Sequence, residues 1–400
     1  MNNDEVDIAE QFEKHLNSPK QTWLLGAGAS FESNIPLMYP LTERVFEIAS
    51  TKTFLDDEDA IAIIDFVKSD IAETAHIEIF LTHLSDLISM AERSRTHTVA
   101  IGANTATKAK LTAVHLKLLD VIADIIRWGY KPPTGEAQAI EGEMGKSITK
   151  IKAHKDFIRA IFLQNRAGLE KHRSGVEFFT TNYDTLIEDA LALNQIPYCD
   201  GFTGGAVGFW KESLDTNQKA VVTKLHGSID WFRSSSPPRP LLRVRYGDTY
   251  HADEQGAVMI YPQASKYVNA QENPFAQLFD RFRNRLAEGT DQVLLICGYS
   301  FGDDHINADI EQAMSKARSQ LTIVVFSGET DGQLPPVLNT WRNGRSFSDR
   351  IYIASPKGLH RGASSACFGK EGGSRDWWTF SGMTKLFAEG LPKDIQEALQ

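Results

Sequence analysis

The sequence predicts an α/β fold with a doubly wound, mostly parallel sheet and a large helical insertion after the first strand–helix unit. Three observations lead there. The apolar run Thr22-Trp23-Leu24-Leu25 enters Gly26-Ala27-Gly28-Ala29-Ser30 before a helical pattern opens near Leu41, which reads as strand, glycine turn and helix start. From about Phe54 to Leu169 apolar residues recur every three or four positions. From Val176 onward, short β-rich runs alternate with helical patterns.

Each element follows in order. In the helical stretch the periodic sets are Ile61, Ile64 and Phe66; Ile77, Phe80, Leu81, Leu84 and Leu87; and Val114, Leu118, Val121 and Ile125. Several helices and almost no sheet are expected there, interrupted by the loop from Tyr130 to Gly135. The expected strands are Val176 to Phe179, Val221 to Leu225, Val258 to Tyr261, Val293 to Ile296, Leu321 to Phe326 and Ile351 to Ile353. Helical patterns from Tyr183 to Leu193, Pro274 to Leu286 and Asp304 to Ala317 separate several of them. Nearly continuous apolar strands between helices imply a parallel sheet covered on both faces. Because the sheet resumes only at about Val176, the chain reads as one domain over residues 1–400 with an insertion over residues 54–172. Ser234 to Pro240 and Gly362 to Gly373 read as exposed loops, and no internal repeat is present.

Composition excludes several classes. The 400 residues are 42% hydrophobic and 24% charged, as in a soluble globular chain. A formal charge of −10 argues against a self-sufficient nucleic-acid binder, which needs cations to neutralise phosphates. No apolar stretch approaches a membrane span, and the acidic start MNNDEVDIAEQFEKHL does not resemble a signal peptide. Cys199, Cys297 and Cys367 are widely spaced, so neither a disulfide framework nor a four-cysteine zinc site is expected. The expectation is a cytoplasmic protein with reduced thiols and no bound metal.

Taken alone, Gly26-Ala27-Gly28 is a turn motif shared by many proteins. It has no third glycine three residues on and no acidic residue about twenty positions later in an obvious second strand, so a plain dehydrogenase fingerprint is absent. The extension Gly26-Ala27-Gly28-Ala29-Ser30-Phe31-Glu32-Ser33-Asn34-Ile35-Pro36 carries more. It is followed by Thr180-Thr181-Asn182-Tyr183-Asp184, Leu225-His226-Gly227-Ser228 and Cys297-Gly298-Tyr299-Ser300. These four segments resemble the sirtuin fingerprints in sirtuin order, with Asn34 at the last glycine of the first motif. The resemblance implies a Rossmann-like sheet.

Two departures narrow the resemblance. Leu37-Met38-Tyr39 stands where lysine-deacylating sirtuins usually carry Asp-Phe-Arg, and the four-cysteine zinc module after the catalytic histidine is missing. Pro36-Leu37, Thr181 to Leu186 and Leu225 to Trp231 instead resemble the sirtuin-like effectors of bacterial antiphage systems, as does Ile77-Glu78. That resemblance implies an NAD glycohydrolase that depletes NAD during phage infection in the bacterial cytoplasm. It assigns catalysis to Asn182 and His226, with Asp184 assisting on the nicotinamide side. It gives the NAD diphosphate to the backbone of Gly26, Ala27, Gly28 and Ser30 and to Gly298 and Ser300, with Ser327 near the adenosine ribose.

The residue types suit that chemistry. Breaking the nicotinamide–ribose bond develops positive charge on the sugar, which calls for a rigidly held ribose and a delivered water. Histidine takes protons near neutral pH, and asparagine offers both donor and acceptor. Each residue also has a structural alternative: Asn182 as a helix cap, His226 as a packed histidine. Asp303-Asp304-His305 reads as the polar first turn of a helix rather than a metal cluster. Arg281, Arg283 and Arg285 read as a solvated face or partner contact, and Trp377-Trp378 as packing or interface residues.

Uncontrolled NAD hydrolysis would poison the producing cell, so gating by assembly or by a partner is expected. Homo-oligomerisation through the helical block and, from the resemblance to two-gene systems, a HerA-type hexameric ATPase are the expected partners. The alternatives are an NAD-dependent protein deacylase or ADP-ribosyltransferase, and a non-catalytic sensor of NAD or ADP-ribose.

Overall fold

The computed structural model describes residues 3–51, 58–163, 175–211, 217–233, 240–244, 255–259, 274–288, 291–366 and 374–399. The chain opens with helix α1 (Asn3–Leu16), strand β1 (Gln21–Leu25) and a 3-10 helix over Ala27–Ser33. The helical stretch follows: α2 (Met38–Ala49), α3 (Glu58–Asp70), α4 (Ile77–Arg93), α5 (Lys108–Trp128) and α6 (Lys152–Phe162). Two small antiparallel pairs lie within it, β2 (Thr98–Ile101) with β3 (Asn104–Thr107) and β4 (Tyr130–Lys131) with β5 (Ile140–Glu141). The expectation of almost no sheet there thus missed two hairpins, too short to show an alternating pattern. Phe54 and Leu169, the expected limits of the stretch, lie outside the described residues.

The sheet resumes with β6 (Val176–Thr180), α7 (Leu186–Leu193), β7 (Tyr198–Cys199), β8 (Phe202–Gly204), β9 (Val207–Trp210), β10 (Ala220–Lys224), β11 (Gly227–Arg233), β12 (Leu241–Val244) and β13 (Gln255–Met259). Then come α8 (Phe275–Ala287), β14 (Val293–Cys297), α9 (Asp304–Ser315), β15 (Thr322–Phe326), α10 (Pro336–Gly344), β16 (Ile351–Ser355), β17 (Gly358–Arg361) and β18 (Ser364–Ala366). Helices α11 (Phe380–Glu389) and α12 (Lys393–Leu399) end the described chain.

The main sheet has the order β18-β17-β16-β15-β14-β1-β6-β10-β7. Strands β16 through β7 pair in parallel, and β17 and β18 are antiparallel additions. Its six central strands run in the Rossmann order, with a switch beside β1. A second sheet, β13-β11-β12-β9-β8, is antiparallel. The run at Val258 was therefore misassigned to the parallel sheet: its residues up to Met259 belong to β13, and Ile260-Tyr261 lie outside the described residues. An apolar run by itself does not reveal which sheet it joins. The expected loop at Gly362 contains β18, whose residues from Ser364 extend the sheet edge beside β17. Of the loop at Ser234, residues 234–239 lie outside the described residues, as does Cys367.

Alternation along the parallel strands divides them between two cores. On one face Trp23, Leu25, Phe178 and Leu295 pack with Phe12, Phe157 and Phe387 from α1, α6 and α11. On the other face Leu24, Phe179, Leu294 and Ile296 pack with Phe282, Ile306, Ile310 and Leu338 from α8, α9 and α10. Both pleat faces must therefore be apolar, which is why the strands read as continuous runs. A third core lies within α2 to α5, around Val45, Phe80, Leu84, Leu118 and Ile122, and takes in Tyr183 from the loop after β6, Leu186 from the start of α7 and Ile229 from β11. Two of the three arginines expected on a solvated face turn inward: Arg281 Nη2 lies 3.0 Å and Arg285 Nε 3.6 Å from Glu177 Oε1 on β6. Trp377 is buried and donates from Nε1 to Ser355 O at 2.6 Å, so it packs within the fold.

The loops after β1 and β14 touch backbone to backbone. Gly28 N donates to Gly298 O at 2.9 Å and Gly26 N to Cys297 O at 3.0 Å. Gly298 has φ +67°, and a methyl there would sit 2.2 Å from Ala29 N. Glycine is required on both counts. At the end of the 3-10 helix Ser33 Oγ and His154 Nδ1 are 3.2 Å apart.

The Gly298 contact and the burial of several titratable groups each have a measurable consequence. Gly298→Ala is expected to lower stability by more than about 2 kcal/mol, read as a fall in the denaturation midpoint. The second concerns pH: burial lowers His15, His115, His154 and His360 to about 4 from 6.5. Between those values the unfolded chain binds more protons, so stability from these groups is complete above pH 6.5 and falls as pH drops toward 4. Glu188, raised by burial to about 7 from 4.5, acts oppositely: its contribution is complete below 4.5 and declines as pH rises through 7. Denaturant midpoints measured from pH 7 to pH 4 are expected to fall less steeply for His154→Gln than for the parent.

Candidate functional site

Parallel pairing sets Leu25, Thr180, Lys224, Cys297 and Phe326 in one row across β1, β6, β10, β14 and β15. Every strand of this row ends there, so the residues one or two positions on gather at a single carboxyl edge. Gly26, Asn182, His226, Gly298 and Ser327 are those residues. In sheets with this strand order the crevice at that edge is where ligands bind.

A hydrogen-bonded chain links four of the predicted residues. Asn182 Nδ2 donates to Gly26 O and to Ser30 Oγ, each at 3.0 Å, and Ser30 Oγ donates to Asp184 Oδ2 at 2.7 Å. The direction is forced from the Gly26 end. A backbone carbonyl only accepts, so the amide nitrogen must face Gly26; that nitrogen also donates to Ser30 Oγ, which leaves the serine hydrogen for Asp184. Asn182 therefore presents Oδ1 as its acceptor. Asp184 Oδ1 accepts from Leu186 N at 3.0 Å, fixing the carboxylate to the first turn of α7. Asn182 is not the helix cap; Thr185 stands at that position.

Below the chain sits a buried ion pair. Lys224 Nζ donates to Asp184 O and lies 3.5 Å from Glu188 Oε1. Burial raises the Glu188 carboxyl to about 7, while the lysine acts in the opposite direction. The lysine thus ties the end of β10 to the turn carrying Asp184.

His226 is buried at 4% exposure, and its Nε2 is 3.1 Å from Asp303 Oδ2. Asp303 is also the N-cap of α9, accepting at Oδ1 from His305 N at 3.0 Å and Ile306 N at 3.4 Å. The expected polar first turn is confirmed in this respect. Tyr183, whose ring is 6.4 Å from that of His226, donates its hydroxyl to Glu78 Oε1 at 3.0 Å. The Ile77-Glu78 segment of α4 thereby reaches the loop carrying Asn182. The single hydroxyl hydrogen of Tyr299 is shared between Asp303 O at 3.1 Å and Asn307 Oδ1 at 3.2 Å, and burial raises both its hydroxyl and the Cys297 thiol. Cys297 is accordingly a protonated core residue rather than a nucleophile.

The backbone donors of the glycine loop are partly engaged within the protein. The N–H groups of Gly26, Gly28 and Ala29 are already donated to protein carbonyls, so the glycines bring two loops together rather than offering these donors to a diphosphate. Ser30 is fully buried and its hydroxyl is used between Asn182 and Asp184. Ala27 is exposed at the rim, as is Ser300, whose Oγ accepts from Gly302 N at 3.3 Å. Ser327 is buried beyond β15 and donates to Gly328 O at 3.0 Å. Asn34, at the last position of the glycine motif, has φ +64° and ψ +31°. That left-handed conformation explains why glycine or asparagine suits this position.

Sequence reasoning missed Asp303 as a partner of His226, and also Lys224, Glu188 and the role of Glu78. Asp303 was visible as a helix cap, but its second function spans 77 positions of sequence and depends on β10 and β14 flanking β1 and β6. Among the described residues, no group of three or more His, Cys, Asp or Glu is arranged to hold a metal ion. No helix among them is long and apolar enough to cross a membrane.

No curated protein matches the sequence. In structure the chain is similar to a Sir2 homologue in complex with NAD, at 13% identity and a TM-score of 0.36, covering 98% of this chain and 95% of that one. It is similar also to a mutant Sir2 homologue in complex with ADP-ribose, at 12% identity and a TM-score of 0.36, with coverage of 98% and 97%. By sequence, residues 176–344, which run from β6 through α10 and include Asn182, Asp184, His226, Gly298 and Asp303, match the SIR2-like domain.

Proposed function

We propose that this protein is an NAD glycohydrolase, cleaving NAD to nicotinamide and ADP-ribose. The observation that carries the reading is the directed chain from Asn182 through Ser30 to Asp184 at the sheet's switch point. It supplies a fixed acceptor where a ribose hydroxyl or an attacking water needs orientation. The SIR2-like match over residues 176–344 supports the choice of NAD.

In the proposed reaction the bond between the ribose anomeric carbon and the nicotinamide nitrogen breaks, its electron pair leaving with nicotinamide. A water oxygen bonds to that carbon and its proton passes to His226, giving ADP-ribose. Asn182 Oδ1 orients the ribose or the water, and Asp184 acts by holding Ser30 and Asn182. Gly26, Gly28 and Gly298 shape the crevice, Ala27 and Ser300 line its rim toward the diphosphate, and Ser327 lies on the adenosine side. In this proposal residues 1–400 are one domain with an insertion over 54–172. NAD depletion serves antiphage defence, gated by homo-oligomerisation or by a HerA-type ATPase. These last features rest on the sequence resemblance.

The test is NAD consumption by the purified chain, with nicotinamide and ADP-ribose resolved chromatographically. Asn182→Ala and His226→Ala are each expected to lower turnover by on the order of 100-fold or more while NAD binding persists. Ser30→Ala is expected to lower kcat by about tenfold, since the amide of Asn182 loses its acceptor and its orientation. Parent-like turnover in the Asn182 and His226 variants would overturn the reading.

A further inference from the structure

His226 and Asp303 are both about 96% buried and lie 3.1 Å apart, nitrogen to carboxylate oxygen. A carboxylate accepts, so Nε2 carries the hydrogen and the lone pair of the neutral ring falls on Nδ1. Asp303 cannot turn away easily. Its other oxygen caps α9, its backbone oxygen accepts from Tyr299, and Asn307 on the next turn donates to Phe301 O at 2.8 Å. The carboxylate thus stands on a braced helix start and meets the histidine from the strand on the far side of β1.

We infer that Asp303 is the positioning residue for His226: it sets the imidazole tautomer and orientation and offsets the positive charge the ring gains on taking a proton. The inference rests on the glycohydrolase reading for its role in turnover, although the pairing itself does not. A carboxylate behind a histidine base makes the ring a better proton acceptor and removes the wrong tautomer from the population. Other titratable groups face the pair. Tyr183, bonded to Glu78 of α4, lies against the imidazole, Tyr299 against Asp303, and Asp304, His305 and Asp309 stand on α9 itself. Asp303 lies within hydrogen-bond distance of the ring.

Asp303→Asn separates the two duties, because asparagine caps a helix as well as aspartate does but carries no charge. The full chain is measured for unfolding temperature, NAD affinity, kcat and KM across pH, with Asp303→Glu and Asp303→Ser alongside. Asp303→Asn is expected to keep the parent's unfolding temperature within a few degrees and its KM within about threefold, and to lose on the order of 100-fold in kcat. The acid limb of its kcat/KM profile is expected to move to lower pH by about one unit, the histidine having lost its neighbouring anion. Asp303→Ser is expected to behave likewise, and Asp303→Glu to recover part of the loss. Parent-like kcat in Asp303→Asn, or an unshifted acid limb, overturns the inference.

Nitrogen-15 NMR of the His226 ring, assigned through His226→Gln, reads the pairing without turnover. It is expected to show Nε2–H in the parent and a lowered histidine pKa in Asp303→Asn. If the parent does not hydrolyse NAD while these ring signals behave as expected, the glycohydrolase reading fails and the positioning assignment stands. Unchanged ring signals overturn the assignment whatever the turnover.

Discussion

Common register across the central parallel strands is the constraint on which the rest of this molecule depends. Leu25, Thr180, Lys224, Cys297 and Phe326 share one row, so five chain segments far apart in sequence leave the sheet at the same level. A shift of one residue in any of these strands would exchange its two faces, sending Trp23 or Phe178 toward the wrong core. Burial on both faces thus fixes register, and register fixes which residues meet at the carboxyl edge. The close approach of the loops after β1 and β14 is a consequence, and it is what demands glycine at positions 26, 28 and 298.

Hydrogen-bond direction then gives that edge a chemical polarity. Asn182, Ser30 and Asp184 are all nearly buried, and each polar atom named in the chain has a partner of defined sense. Buried polar chains of this kind hold one arrangement because any reversal leaves an acceptor facing an acceptor. The buried Lys224–Glu188 pair underlies it from β10 and α7. Removing either partner alone would leave an uncompensated buried group, so the pair constrains the turn that carries Asp184 more than it adds stability.

The helical stretch is tied to this edge by specific contacts rather than by proximity alone. Tyr183 extends its hydroxyl to Glu78 on α4, and Arg127 on α5 donates to Ile229 O at 3.1 Å. Tyr183 follows Asn182 directly and Ile229 lies three residues beyond His226. The segments carrying Asn182 and His226 are therefore tied to α4 and α5 by these hydrogen bonds, and Tyr183 and Ile229 also belong to the core of that helical layer.

What the sequence by itself determined is the set of local features with a period or a conformational demand. The strands β1, β6, β14 and β15, the helix spanning Ile77 to Arg93, and the glycine turn after β1 were legible because two-sided burial leaves continuous apolar runs and helices leave a three-to-four spacing. The ordered motifs marked Asn182, Asp184, His226 and Gly298 as neighbours. Tertiary structure decided the rest. The antiparallel sheet containing β13, the inward turn of Arg281 and Arg285 toward Glu177, and the partnership of His226 with Asp303 depend on which segments lie side by side, and short runs or single charged residues carry no record of that. The same holds for Ser30, which the glycine motif marked for a ligand and which the fold commits between two side chains more than 150 residues away. Long-range pairing of polar groups is set by geometry that only the assembled sheet supplies.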